Sequence, residues 1–183
     1  MTRSGLIRAS LATSLLLTVA FVADAKLART GTPAVSFRAA GPAGMKIQGT
    51  TSDLDVDDQG AKIVIKVPLK NLSTGIALRD EHMRNKYLEV GTYPNAELTV
   101  DRSALRLPSG SDPVSGDATG TMALHGKTKS TTFHYNIGKS GETLRVAGTV
   151  HLDMRDYGIT VPSYLGVTVK PDIDVEVQFN AAQ

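Results

Sequence analysis

The chain contains no cysteine and no tryptophan, and its 183 residues include only four Phe and five Tyr. Without cysteine there can be no disulfide scaffold, no thiolate metal ligand and no cysteine nucleophile. Without tryptophan, and with few other rings, a pocket built from this chain is mostly aliphatic. Such a pocket suits a flexible hydrocarbon better than a flat aromatic ligand that needs stacking partners, although an ordinary filled core would share the composition. Charge of one sign is also lacking. Of 20 basic and 18 acidic residues, Arg3, Arg8 and Asp24 fall in the first 25 positions, leaving 18 and 17 in the remainder, a balance of +1. Such a balance gives no strong overall attraction for nucleic acid or anionic lipid.

Long hydrophobic runs are confined to the start. Arg3 and Arg8 precede an apolar run from Leu11 to Ala23 that ends in Ala23-Asp24-Ala25, the pattern of a secretory signal with small residues at the cleavage site. The run is shorter than the roughly 20 residues of a membrane span and is interrupted by Thr13, Ser14 and Thr18. Cleavage after Ala25 and a periplasmic or secreted product are therefore expected. No paired arginines precede the run and no cysteine follows it, which argues against a twin-arginine route and a lipid anchor. Residues 26–33 hold Lys, Arg, Thr, Gly and Pro without period and read as a flexible linker. Residues 34–183 read as one domain, with no internal repeat and no shift of composition.

Within that domain the pattern is period-two alternation broken by turn residues, the signature of strands with one apolar face. Eight runs qualify: Val35 to Ala39, Met45 to Val56, Ile63 to Leu69, Leu98 to Asp101, Thr119 to His125, Thr132 to Ile137, Leu144 to Leu152, and Ile173 to Phe179. Eight antiparallel strands form a sandwich or close into a barrel, and alternation does not separate the two. The inward phase is rich in Ile, Val and Leu and includes Gly120 and Gly148. Those glycines either leave volume inside or relieve bending at barrel corners.

One segment departs from this pattern. From Ser73 to Asn95 the chain is heavily charged, with Asp80 and Glu81 early and Arg84 and Lys86 late, the polarity a helix dipole favours. A helix over about 77–86 is expected, with Ile76, Met83 and Tyr87 on one face. Arg79, Asp80 and His82 are the densest functional cluster: Asp80 could orient His82 as a general base, meet a lipid head group, or pair with Arg79 to fix the helix on its support. No Gly-x-Ser-x-Gly, phosphate-cradling loop or paired carboxylate frame accompanies them. His125, His134 and His151 lie on the polar phase of their strands. With a hairpin turning at Lys127-Thr128, His134 would sit opposite Thr121, roughly 13 Å along the strand from His125 at ~3.4 Å per residue, which is too far to share a metal.

Three motifs stand in order along the chain. The first combines Ser73-Thr74-Gly75, Arg79-Asp80-Glu81-His82-Met83 and Tyr93-Pro94; the second is Leu124-His125-Gly126-Lys127-Thr128-Lys129; the third is Arg155-Asp156-Tyr157-Gly158-Ile159. Together they resemble the YceI-like family of exported lipid-binding proteins over about residues 32–179. Met83 stands where Leu is commoner, and Lys86-Tyr87-Leu88-Glu89-Val90 where a Phe-rich stretch is usual; these departures bear on the ligand rather than the fold. The resemblance implies an eight-stranded lipocalin-like barrel with the helix at its rim and an apolar cavity for a long isoprenoid, quinone-like or fatty acyl chain. No cofactor, metal or nucleic acid is implied. The expected lining is Ile63, Ile65, Val67, Met122, Leu124, Phe133, Tyr135, Val146, Val150, Val175 and Val177 from the strands, with Ile76, Met83 and Tyr87 from the helix. Arg79, Asp80 and His82 are expected to meet a head group or hold the lid, and Tyr87 and Tyr164 to offer hydroxyls at the mouth. Loading would call for transient contact with a membrane or membrane protein, and nothing in the sequence sets an oligomeric state. Two other readings remain beside lipid carriage: a lipid-modifying enzyme using His82 and Asp80, and a filled all-β module that contacts other proteins.

Overall fold

The structure, a computed structural model, describes residues 26–164 and 167–182. The predicted signal segment and its cleavage site lie outside the described residues. The strands are β1 (Ala28–Ala40), β2 (Lys46–Thr51), β3 (Asp55–Asp58), β4 (Lys62–Pro68), β5 (Asn95–Asp101), β6 (Val114–Leu124), β7 (Lys127–Ser140), β8 (Thr143–Asp153), β9 (Ser163–Tyr164), β10 (Val167–Thr168) and β11 (Asp172–Ala182). A short helix, α1 (Ala77–His82), runs directly into a π-helical turn over Met83–Tyr87.

Nine strands form one antiparallel sheet in the order β2-β1-β11-β8-β7-β6-β5-β4-β3, while β9 and β10 make a separate ribbon. The sheet curls into a barrel-like shell, as expected of an all-β chain with one apolar face per strand. The strand count is nine rather than eight because the run expected as one strand from Met45 to Val56 turns between β2 and β3, where Leu54 is drawn into the core. These two strands are the edges of the sheet. A backbone pair, Thr50 N to Ser73 O at 2.8 Å and Ser73 N to Thr50 O at 3.0 Å, ties the chain after β4 to β2 across the seam.

The linker expected at residues 26–33 is mostly strand. Ala28, Arg29 and Thr30 pair with Ala182, Ala181 and Asn180 of β11, and pairing resumes at Ala34 after an irregularity. Gly31 there has φ 65. The bulge spoils the alternation and hides the strand from a period-two reading.

The β6–β7 turn also differs from expectation. Leu124 pairs with Lys127, so the turn is His125-Gly126 rather than Lys127-Thr128. Both turn residues have positive φ, 50 and 70, the requirement of a tight hairpin turn whose twist matches its strands. Glycine is needed at the second position for another reason: a Cβ on Gly126 would lie 2.6 Å from Cε1 of Tyr93. In the resulting register His134 faces Asp117.

Three groups of buried side chains flank the interior. Val100, Phe133, Tyr135, Ile137 and Leu144 form one, with the Tyr135 hydroxyl accepting a hydrogen bond from Arg106 N at 3.1 Å. Met122, Leu152, Met154, Tyr157 and Ile159 form the second, against which Tyr87 and Leu88 pack. Val35, Leu54, Phe179 and Ala181 form the third, by the seam. Between them the shell is hollow.

Candidate functional site: an apolar cavity under a rim helix

The hollow is a cavity of about 910 Å³, near the upper end of the range for ligand pockets. Strand register builds its wall. Phe133 pairs with Val150, Val150 with Val175, and Val175 with Phe37. The next inward belt runs Tyr135, Gly148, Val177, Val35 in the same way. Because successive side chains alternate faces, each belt places its residues on the inner surface together. On the other side, Ile65 pairs with Leu98 and Leu98 with Met122.

All the expected lining residues border this cavity: Ile63, Ile65 and Val67 on β4, Met122 and Leu124 on β6, Phe133 and Tyr135 on β7, Val146 and Val150 on β8, Val175 and Val177 on β11, and Ile76, Met83 and Tyr87 at the rim. The side chain of Tyr164 lies outside the described ones. The two inward glycines separate. Gly148 borders the cavity, whereas a Cβ on Gly120 would come 2.8 Å from the Thr99 carbonyl oxygen. Gly120 therefore allows two backbones to approach just past the last β5–β6 pair, Thr99 with Thr121.

The wall has members the sequence reading did not select. Phe37 and Ala39 of β1, and Leu98 of β5, share the inward phase and were within reach of it. Met154, Tyr157, Ile159, Pro162 and Val169 come from the irregular stretch between β8 and β11, where no period marks an inward side. Pro42 and Met45 from the β1–β2 turn, Ile47 of β2, Leu78 of the helix and Lys86 of the π-helical turn also border the cavity.

Of the charged cluster, Arg79 and His82 border the cavity and Asp80 does not. Asp80 is buried, at 6 % exposure, and accepts hydrogen bonds from Ser73 Oγ at 2.6 Å, Thr74 N at 2.7 Å and Thr74 Oγ1 at 2.5 Å. Burial pushes its carboxyl up, but the Ser73 and Thr74 hydrogen bonds and the charge of Arg84 outweigh this and bring it down to about 2. An ionised carboxylate in a shell of fixed donors resists protonation in this way. Arg79 donates from Nε to Thr74 Oγ1 at 2.7 Å and from Nη2 to the Thr74 carbonyl at 2.9 Å. Arg84 donates to the Leu72 carbonyl at 3.0 Å. The direct Arg79–Asp80 pair is thus replaced by convergence on Thr74, because Arg79 borders the cavity while Asp80 points into the base of the helix. No hydrogen bond joins His82 to Asp80, whose two oxygens are instead turned to Ser73 and Thr74.

The far end of the rim segment is held separately. His125 places Nε2 2.9 Å from Glu89 Oε2 and Nδ1 3.2 Å from the Tyr157 carbonyl, and its ring lies 4.6 Å from that of Tyr93. Its side chain is only 12 % exposed, unlike the solvent-facing position expected from its strand phase, because the tight turn swings residue 125 toward the rim. His134 and His151 do face solvent, beside Asp117 and Asp174 respectively. Among the described residues, no group of three His, Cys, Asp or Glu side chains could hold a metal ion.

The polar side chains bordering the cavity are few. Tyrosines apart, they are Thr74, Arg79, His82, Lys86, Thr149 and Ser163, and among the described residues no carboxylate borders the cavity. Lys86 Nζ sits 5.5 Å above the ring of Tyr87.

Comparison with known proteins agrees with this architecture. Two UPF0312 proteins of Pseudomonas putida, from strains F1 and KT2440, are 30% identical over 144 residues, 71% of this chain and 72% of each relative. Among solved structures, a polyisoprenoid binding domain from Saccharophagus degradans superposes with a TM-score of 0.71 at 17% identity, covering 86% of this chain and 98% of that one. Burkholderia cenocepacia BcnA follows at 0.65 and 14%, covering 82% and 96%, and the Campylobacter jejuni YCEI protein at 0.52 and 15%, covering 100% and 99%. The model of the YceI-like domain matches residues 24–181, and with the ordered motifs, the curled sheet and the apolar hollow it establishes that this chain belongs to the YceI-like family.

Proposed function

We propose that this protein binds a long apolar lipid, an isoprenoid or quinone-like chain ahead of a fatty acyl one, and carries or sequesters it without making or breaking bonds. The observation that carries this reading is the large cavity, lined mostly by apolar side chains and, among the described residues, bordered by Arg79 and Lys86 but by no carboxylate. At about 30 Å³ per non-hydrogen atom, the share of a water in the liquid, 910 Å³ accommodates on the order of 30 atoms. A chain of roughly six isoprene units fills that space, and a common fatty acyl chain leaves part of it empty. Each buried CH2 contributes about 0.8 kcal/mol before association costs, so affinity rises with chain length until the cavity is full. The likeness to the polyisoprenoid binding domain of Saccharophagus degradans supports the same ligand class. At the mouth, Arg79 and His82 meet the head group, with Lys86 beside them, while Asp80 holds the helix in place.

The reading includes export: the N-terminal pattern supports a cleaved signal and a periplasmic or secreted protein, which loads and unloads by transient contact with a membrane or membrane protein. Native mass spectrometry of protein recovered from its own compartment tests the ligand. A co-purifying isoprenoid-sized lipid is expected. Protein that carries nothing, and that takes up no prenyl chain offered in detergent, would refute the proposal and favour a module that only contacts other proteins.

A further inference from the structure

We infer that the cavity mouth is a docking face for an anionic lipid bilayer, across which ligand passes between membrane and cavity without entering water. The inference deepens the lipid-carrier reading and rests on it.

Among the described residues, the large hydrophobic side chains left exposed are Met45 at 51%, Ile76 at 53% and Leu78 at 63%. One exposed hydrophobe needs no explanation. These three come from two separate segments, the β1–β2 turn and the start of the rim helix, yet all border the mouth of the same cavity. An apolar patch at a cavity mouth marks a surface that something apolar covers.

The charges around the patch indicate what covers it. Lys46 follows Met45, Lys70 follows the cavity residue Leu69, and both are exposed. Arg79 and Lys86 stand at the mouth itself. Of the acids in this segment, Asp80 is buried among its donors, Glu89 is drawn to His125 at the far end of the segment, and Glu81 stands exposed on the helix. The near-neutral total charge of the chain hides this local excess, because no carboxylate among the described residues borders the cavity. An apolar tip ringed by cations matches a bilayer interface, which offers hydrocarbon below and negative head groups above. A second copy of the chain matches it less well, since symmetric apposition would set like charges against each other. Docked in this way, the mouth opens onto the hydrocarbon, and the ligand's apolar chain stays out of water throughout its transfer.

The test is sedimentation of the protein, expressed from the full chain, with phosphatidylcholine vesicles and with vesicles that also contain phosphatidylglycerol. Binding is expected only to the second, and weaker as salt rises. Each lysine beside an anionic bilayer is worth roughly fivefold in affinity, so Lys46→Gln with Lys70→Gln should weaken binding about 25-fold, and Leu78→Ser should weaken it on the same vesicles. Thermal melting confirms that the variants are folded. Neither Lys46 nor Lys70 borders the cavity, so their variants should keep the parent's lipid occupancy by native mass spectrometry. Lost vesicle binding with kept occupancy reads docking alone, whereas an empty cavity with intact vesicle binding counts against the carrier reading alone. The docking inference is overturned if phosphatidylglycerol vesicles bind nothing at low salt, or if binding ignores both sets of substitutions. It is overturned equally if light scattering shows a dimer that Leu78→Ser dissolves while vesicles stay unbound, which would make the face an interface between copies.

Discussion

Replacing Asp80 by alanine should loosen the rim helix from the barrel and destabilise the protein by about 3 kcal/mol. The figure comes from the site. Asp80 is buried and accepts from the Ser73 hydroxyl, the Thr74 amide and the Thr74 hydroxyl. Hydrogen bonds to an ionised group contribute about 1.5–3 kcal/mol each, less than additively, and removing one side of a buried charged cluster leaves the other side unsatisfied. The same hydrogen bonds also set how the carboxyl responds to pH. The carboxyl is held at about 2 in the folded protein against 3.8 as its ordinary value. A lowered pKa contributes stability that is fully present above 3.8 and is lost as pH falls through about 2, worth on the order of 2 kcal/mol. Both figures rest on the same three hydrogen bonds and are of similar size. In a domain of this size, 3 kcal/mol corresponds to a fall in Tm of roughly 6–12 °C. Thermal and urea melts at neutral pH, repeated across the acid range, measure both parts, and hydrogen exchange at Ile76 to Met83 shows whether the loss is local or global. In the variant, the decline in stability between pH 3.8 and about 2 should shrink. A Tm change under about 2 °C, or an acid profile identical to the parent's, would refute the anchoring role.

Three further outcomes are expected. Val150 borders the cavity between Phe133 and Val175, so Val150→Trp should fill the space and abolish uptake of a prenyl chain while the circular dichroism of the sheet is kept; normal uptake would show that position 150 does not face the ligand. Gly126 has φ 70, and a Cβ there would strike the Tyr93 ring, so Gly126→Ala should cost about 1–3 kcal/mol by urea denaturation, against no change if the turn can shift freely. The His151 imidazole is raised by its hydrogen bond to Asp174, so its contribution to stability is present below 6.5 and fades as pH rises through the folded value; with both side chains well exposed, the effect should stay under about 0.5 kcal/mol in a comparison of His151→Gln with the parent across pH 6 to 9.

The inner surface was largely legible from alternation, because a strand's side chains take opposite faces in turn and the face rich in Ile, Val and Leu turns inward. Ile63, Ile65 and Val67, or Val175 and Val177, needed no other information. Charge order likewise marked the rim helix, since carboxylates early and cations late favour a helix locally. Contributions from irregular backbone were not legible. Met154, Tyr157 and Ile159 have no period to report their side, and the strand character of residues 28–33 is masked by a bulge whose pairing with β11 is decided some 150 residues away along the chain.

What the sequence determined by itself was therefore local: where most of the strands and the helix lie, which face of each is apolar, and that no thiol chemistry is available. Tertiary structure alone decided what those faces enclose. Alternation specifies an apolar side but not whether opposite sides meet, and only the curl of the sheet leaves about 910 Å³ between them. Likewise, Arg79, Asp80 and His82 stand within four positions of one another, yet the fold sends Asp80 down to Ser73 and Thr74 and leaves Arg79 and His82 at the mouth. A carboxylate gains more from three fixed donors in a buried corner than from a solvated neighbour, and that corner exists only once the helix lies on the barrel.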